Sequence, residues 1–301
     1  MHITTKYISA LLCFILLTGC TTSSSTTPKE VSTLKNQTNN TSALENIYSE
    51  NAIFINLDTN TLIFSKLADE RIAPASLTKI MSAIIAVEYY DHYTSVLSIE
   101  QSVLDAMLLE NSSLAGFTVG EKLTIEDLLY GTLLSSGGEA TLTLANDIAG
   151  DEDTFVELMN QKAKKLGLEN THFTNACGFD NANHYSTVKD ISTLLTYCLE
   201  NETFKKIFTT KHYTTTASKI HPDGILLSST MFDKIPDNPL SNGEILGGKT
   251  GYTEHAGLCL ASIATVDNSS YIFVSTNASG NHNTTQYNIS DAITAYQSIK
   301  N

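Results

Sequence analysis

The chain has 301 residues, with 32 acidic against 18 basic and a formal net charge of −14 at pH 7. That length suits one large globular domain or two closely packed subdomains, and the negative charge, unrelieved by any dense Lys/Arg cluster, argues against nucleic acid or another polyanion as partner. Sixteen Gly, 5 Pro and no Trp fit an ordinary protein of mixed helix and strand, and no repeat of fixed period is present.

At the N-terminus Lys6 precedes an apolar run from Ile8 to Leu17 that ends in Leu17-Thr18-Gly19-Cys20. The run is too short to span a bilayer comfortably, so a cleaved export signal over residues 1–19 is expected. The ending resembles a bacterial lipoprotein signal, which implies a diacylglycerol on Cys20 and an extracytoplasmic, membrane-anchored protein; the alternative is an ordinary secretion signal with an incidental cysteine. Residues 20–46 are rich in Ser, Thr and Asn and predict a tether with a reach of roughly 30 Å. A folded domain is expected over residues 47–301. Cys177, Cys198 and Cys259 remain after the signal and the lipid site; at most one pair of them could bridge, and buried small hydrophobes are the default.

Ala52 to Leu57 and Thr61 to Leu67 are β-prone runs around the turn formers Asp58-Thr59-Asn60, which predicts a hairpin. After Pro74, the spacing of Leu77, Ile80, Met81, Ile84 and Val87 predicts an amphipathic helix. Further helices are expected at Thr124 to Leu134, around Ala140 to Ile148, at Asp151 to Leu166 and at Val188 to Leu199. Strands return at Ile245 to Tyr252, Gly257 to Val266 and Tyr271 to Thr276, the last two joined by Asp267-Asn268-Ser269-Ser270. A helix from Ile289 to Ile299 closes the chain. Strands at both ends with helices between them imply an α/β fold of the α+β type, with an antiparallel sheet formed from both chain ends, flanked by helices and carrying an inserted helical subdomain.

Ser76-Leu77-Thr78-Lys79 is a Ser-x-x-Lys at the first turn of the helix after Pro74. Residues three apart on a helix are neighbours, so Lys79 can serve as the base that activates the Ser76 hydroxyl, while the helix N-terminus offers free NH groups to an oxyanion. The pattern alone is weak, because Ser32-Thr33-Leu34-Lys35 and Ser186-Thr187-Val188-Lys189 repeat it. Lys249-Thr250-Gly251 occurs once, within Gly247-Gly248-Lys249-Thr250-Gly251-Tyr252-Thr253 at a strand end, where a lysine and a threonine can hold a carboxylate. Ser135-Ser136-Gly137-Gly138 lies between two helical segments, where a short turn could present Ser136 to the same cleft.

In this order the three motifs resemble the set shared by penicillin-binding proteins and class A β-lactamases. The text around them, Ala73-Pro74-Ala75-Ser76-Leu77-Thr78-Lys79-Ile80-Met81, Gly120-Glu121-Lys122-Leu123-Thr124-Ile125-Glu126-Asp127-Leu128-Leu129-Tyr130-Gly131, Lys165-Leu166-Gly167-Leu168-Glu169-Asn170-Thr171-His172-Phe173 and His184-Tyr185-Ser186-Thr187, is similar to the low-molecular-mass D-alanyl-D-alanine carboxypeptidases, from about Ala52 to Val274. The resemblance implies a β-lactamase/transpeptidase-like fold and a peptidoglycan stem peptide ending in D-Ala-D-Ala as substrate, with β-lactams as covalent inhibitors and no metal or cofactor. It implies Ser76 as nucleophile, Lys79 as base and Ser136 as proton relay. Lys249, Thr250, Gly251 and Thr253 would bind the substrate, and the NH of Ser76 and Tyr252 the oxyanion.

Two positions depart from the pattern. Gly138 stands where the family has the Asn of Ser-x-Asn, which implies slower acylation that Gly138→Asn would raise, unless Glu139 or an ordered water already supplies the contact. Cys177 stands in Asn175-Ala176-Cys177-Gly178-Phe179-Asp180 where a His is usual. The C-terminal β-domain and membrane helix of many relatives are also missing. A class A β-lactamase would need a glutamate in the loop after the second motif; Glu169 is in that region, but its surroundings match the peptidases and suit a surface residue. Glu169, His172, His184 and Asp190 could suggest zinc, although no His-Glu-x-x-His helix is present. A cell-wall-binding lipoprotein of the same fold with weakened turnover is the reading outside enzymology.

Overall fold

The computed structural model describes residues 35–36, 42–237 and 239–299, so the expected signal and the lipid site at Cys20 lie outside the described residues. In chain order the elements are β1 (Lys35–Asn36), a 3-10 turn (Leu44–Asn46), β2 (Asn51–Asn56), β3 (Thr61–Lys66) and a second 3-10 turn (Ala75–Thr78). Then come α1 (Lys79–Tyr89), β4 (Val96–Ser98), α2 (Gln101–Leu109), β5 (Lys122–Thr124), α3 (Ile125–Leu133), α4 (Gly138–Ala149) and α5 (Glu152–Lys165). After them follow α6 (Val188–Leu199), α7 (Glu202–Phe208), β6 (His212–Thr214), β7 (Leu226–Ser228), β8 (Gly243–Thr253), β9 (Gly257–Val266), β10 (Ser269–Ala278) and α8 (Tyr287–Gln297).

Six strands form the main sheet in the order β1-β3-β2-β10-β9-β8, so the two chain ends meet at the antiparallel β2–β10 pair. Alternation along each strand divides the core between the two faces, because successive side chains point to opposite sides. Phe54, Leu260, Tyr271 and Phe273 pack with Ile289, Ala292 and Tyr296 of α8 and with Leu44. Ile53, Ile55, Ala261, Ile263, Ile272 and Val274 face the helices α1 to α7. Leu44 is fully buried and the Asp291 carboxylate accepts the NH of Tyr48 and Ser49, which joins the entry of the chain to α8.

Four of the helices start where a side chain satisfies their free NH groups: Thr124 and Asp127 form a capping box on α3, and Asp151, Thr187 and Asn201 cap α5, α6 and α7. Three expectations need correction. Ser76 sits in the 3-10 turn and α1 begins at Lys79, because Ala75 takes a positive φ of 47° that an α-helical start does not allow. Helix α1 is not amphipathic, since every residue from Lys79 to Val87 is buried among α3, α4, α5, α6 and α7. The β9–β10 turn is the pair Asp267-Asn268, both at positive φ (48° and 63°), and Ser269 and Ser270 already belong to β10. No helix among the described residues is long and apolar enough to cross a membrane.

Candidate active site

The 3-10 turn places Ser76 half-buried beside the outer edge of β8, with its hydroxyl 3.1 Å from the Nζ of Lys79. Lys79 Nζ also donates to the Cys177 carbonyl at 2.8 Å. That carbonyl is fixed by Asn175, whose Oδ1 accepts the NH of Cys177, Gly178 and Phe179 at 3.2, 2.7 and 3.0 Å. Gly178, at φ +93°, permits the approach: a Cβ there would lie 1.8 Å from the Ala75 carbonyl oxygen. Two chain segments a hundred residues apart thus interlock around the lysine.

Across the cleft Ser136 tops the α3–α4 turn at φ 60°, a left-handed conformation rare for a non-glycine residue and typical of functional turns. Its hydroxyl accepts from Lys249 Nζ at 2.8 Å, which leaves the Ser136 proton free to be donated elsewhere. Lys249 lies in β8 with no exposed surface and also donates to the Thr250 carbonyl at 2.8 Å. A Cβ on Gly251 would sit 3.0 Å from the Ser76 nitrogen, so the strand backbone comes directly against the serine. Tyr252 is half-buried with the His282 ring edge-on at 5.0 Å. The Thr250 hydroxyl is 2.6 Å from that of Thr230, whereas the Thr253 hydroxyl is committed to Asp180 at 2.7 Å and accepts the Ala256 NH.

Burial pushes the Lys79 ammonium below its ordinary range, opposed by the Cys177 thiol and the Glu139 carboxylate. The thiol is itself pushed up to about 11 by burial and is uncharged near neutrality, so Glu139 is the opposing charge that counts there. Burial holds Lys249 well below its range too, with the Lys79 charge adding to the effect. A neutral amine beside a serine hydroxyl is the arrangement that general-base activation needs.

The other Ser-x-x-Lys among the described residues is excluded by its geometry, since Lys189 pairs with Asp69 at 2.6 Å and Ser186 bonds Thr171 at 2.8 Å. Ser32 lies outside the described residues. His184 Nδ1 accepts the Thr174 NH at 3.0 Å, so Nε2 carries the proton and donates to the Thr78 hydroxyl at 2.9 Å. His172 meets the Asn183 carbonyl and Asp190 accepts from Asn170 and Thr171, so both are held by the local fold, and Glu169 is exposed as expected of a surface residue. Cys177, Cys198 and Cys259 are free and buried; the Cys177 sulfur lies against Met107 Sδ and the Gly138 carbonyl.

Three contributors have roles that the motif pattern does not state, and Thr230 is not marked by it at all. Thr230 stands beside Thr250, Asn175 orients the lysine's acceptor, and Glu139 binds a loop rather than the cleft: its Oε1 accepts the NH of Ala115, Gly116 and Phe117 at 2.6, 3.0 and 3.3 Å. The volume beside Gly138 is already filled, because a Cβ there would lie 2.2 Å from Ser112 Oγ and 2.5 Å from Met107 Sδ.

Residues 36–280 match the family model described as D-alanyl-D-alanine carboxypeptidase, peptidase S11. The chain is 31% identical over 216 residues to D-alanyl-D-alanine carboxypeptidase DacF of Bacillus subtilis, covering 72% of this chain and 54% of that protein. It is also 31% identical over 218 residues to the D-alanyl-D-alanine carboxypeptidase of Streptomyces sp. strain K15, covering 70% and 74%. The crystal structure of the Streptomyces K15 DD-transpeptidase superposes with a TM-score of 0.75 at 28% identity, over 84% of this chain and 97% of that one. The chain spans about half the length of several curated relatives it matches. With the family model covering most of its length and a penicillin-binding fold beneath the motifs, the chain belongs to the S11 family of D-alanyl-D-alanine carboxypeptidases.

Proposed function

We propose that this protein is a serine D-Ala-D-Ala carboxypeptidase that removes the terminal D-Ala from peptidoglycan stem peptides through an acyl-enzyme on Ser76. The observation that carries the reading is the Ser76–Lys79 pair, 3.1 Å apart, with the lysine buried and its pKa depressed. Lys79 takes the hydroxyl proton as Ser76 Oγ bonds to the carbonyl carbon of the penultimate D-Ala, and the negative charge moves to the carbonyl oxygen between the NH of Ser76 and Tyr252. Collapse breaks the peptide bond, and Ser136, hydrogen-bonded to Lys249, gives its hydroxyl proton to the departing amine and is restored by the proton that Lys79 took from Ser76. Thr250 and Lys249 hold the terminal carboxylate, with Gly251 letting the substrate lie against β8; the bond to Asp180 gives Thr253 the smaller part. Water then adds to the ester, releasing the shortened peptide and restoring Ser76. A β-lactam enters the same sequence at its amide carbonyl and stays on Ser76.

The domain division and the membrane attachment belong to the same reading: signal 1–19, lipid on Cys20, a tether, and a catalytic domain that starts ahead of the expected residue 47, because Leu44 is already buried in the core beside α8. Two acyl chains on Cys20 would hold the enzyme outside the cytoplasm at the membrane surface. Ser76→Ala is expected to abolish penicillin labelling and D-Ala release together; covalent labelling that persists in the variant overturns the nucleophile. Cys20→Ser is expected to move the protein into the soluble exported fraction. An adduct lost within seconds, rather than lasting, would favour a β-lactamase.

A further inference from the structure

Gly138 lacks the side chain that the Ser-x-Asn pattern puts at its position, yet no space is left beside it. Ser112 Oγ and Met107 Sδ, from the loop after α2 and from α2 itself, lie 2.2 and 2.5 Å from where a Cβ on residue 138 would be. Both are side-chain ends, so this is occupancy by a neighbour and not a collapse of backbone. The Gly138 NH donates to the Ser113 carbonyl at 2.8 Å, which fixes the loop in register with the start of α4. Glu139 adds the second tie. Its side chain is fully buried, its Oε1 gathers the three NH groups of residues 115–117, and its Oε2 has no hydrogen-bond partner among the described residues. A buried carboxylate with one oxygen unsatisfied is costly, and three NH bonds to a single oxygen show that the loop is what it holds. Ser112 itself is half-exposed, and its hydroxyl reaches only the Ser113 carbonyl at 3.1 Å, so both of its lone pairs remain available and its proton can be redirected.

Resting on the acyl-enzyme reading above, we propose that Ser112, carried on the loop between α2 and β5 and held there by Glu139, occupies the place residue 138 leaves open and presents its hydroxyl to the substrate backbone beside Ser136. Ser112 is then a substrate-contacting residue contributed by a different chain segment from the motif it completes, and Glu139 is a positioning residue.

The test is a double-mutant cycle on Ser112 and Gly138, read by the rate of Ser76 acylation with a fluorescent penicillin and by thermal unfolding. Ser112→Ala is expected to slow acylation roughly five- to tenfold, as loss of one hydrogen bond does, with the melting temperature nearly unchanged. Gly138→Asn alone is expected to slow it as well and to lower the melting temperature, by crowding Ser112. The combined S112A/G138N variant, with the hydroxyl gone and the amide in its place, is expected to be faster and more thermostable than Gly138→Asn alone. Parental acylation in Ser112→Ala, or two substitutions whose effects simply multiply, overturns the proposal. A parent protein that takes no penicillin would instead sink the enzymatic reading, while the thermal arm of the cycle still decides the steric relation between the two positions.

Discussion

The Ser76 turn and the Ser136 turn face one cleft, and each has a non-glycine residue in the left-handed region at its apex, Ala75 at φ 47° and Ser136 at φ 60°. They are held by different means. The first is locked by hydrogen bonds from a distant segment: Asn175 gathers three NH groups, the Cys177 carbonyl accepts from Lys79, and His184 donates to the Thr78 hydroxyl. The second leans on a neighbouring loop tied by Glu139, with Ser112 filling the gap at Gly138. A strained turn needs such over-determination to persist, and the comparison shows that polar bonds to backbone and occupancy by a loop can both supply it.

The largest effect is expected at the interlock. Gly178→Ala puts a Cβ 1.8 Å from the Ala75 carbonyl at a backbone φ of +93°, and neither group can yield without breaking the turn. A destabilisation of about 4 kcal/mol or more is expected in urea unfolding, with loss of Ser76 labelling. A variant that unfolds like the parent would show that the two segments do not lock each other.

Next in size is the acid response of the first turn. Burial, then the charge of His172, depresses His184 to about 4, and its Nδ1 already accepts an NH, so protonation costs both solvation and that bond. The unfolded chain binds this proton near pH 6.5 and the folded one only near 4, so stability is lost as pH falls through that window, by roughly 3 kcal/mol in total. His184→Gln is expected to flatten the slope; an unchanged slope between pH 6.5 and 4 would remove His184 as its source. Asn175→Ala comes third, at about 2 kcal/mol, because three NH groups lose one acceptor and solvent reaches them only in part. Acylation should slow further than stability alone explains, since the Cys177 carbonyl is no longer aimed at Lys79.

The two turns also differ in how far they are legible in the sequence. Ser76, Lys79 and Lys249 stand in motifs whose spacing states the chemistry, and α6 and β9 have the expected boundaries because Thr187 caps one and Gly257 opens the other. Helix α2 escapes periodicity analysis, since only Val103 and Met107 are buried while Leu108 and Leu109 are exposed. Helix α7 has seven residues, too few for a period to stand out, although Asn201 and the Phe204, Ile207, Phe208 spacing mark it. The absence of a side chain at Gly138 is visible in the sequence, but its replacement is not. Ser112 and Glu139 meet through backbone groups of a loop more than twenty residues away, and a loop held by NH bonds leaves no pattern of residue types.

The smallest effect is expected from Glu139→Gln, and its sign is opposite to that of His184. Burial raises the Glu139 carboxyl above its usual range, against the NH bonds from Phe117, Ala115 and Gly116. Between the unfolded pKa, 4.5, and the raised folded one, the folded state binds the extra proton, so this group's contribution to stability falls as pH rises through that window and is constant above it. The amide keeps an oxygen for the three NH groups and removes the buried charge, while its NH₂ meets no acceptor where Oε2 already lacks a partner among the described residues. These terms oppose each other, and a net change within about 1 kcal/mol is expected at neutral pH. The informative quantity is the difference between parent and variant across pH, in which the His184 contribution cancels. The parent should gain relative to the variant as pH falls towards 4.5, and a difference that stays constant would mean that Glu139 does not titrate differently in the folded chain. Acylation in Glu139→Gln should stay near the parental rate because the loop keeps its anchor, whereas Glu139→Ala, which releases all three NH groups, should slow it as Ser112→Ala does. Equal rates in the Gln and Ala variants would separate the Glu139 tie from the position of Ser112.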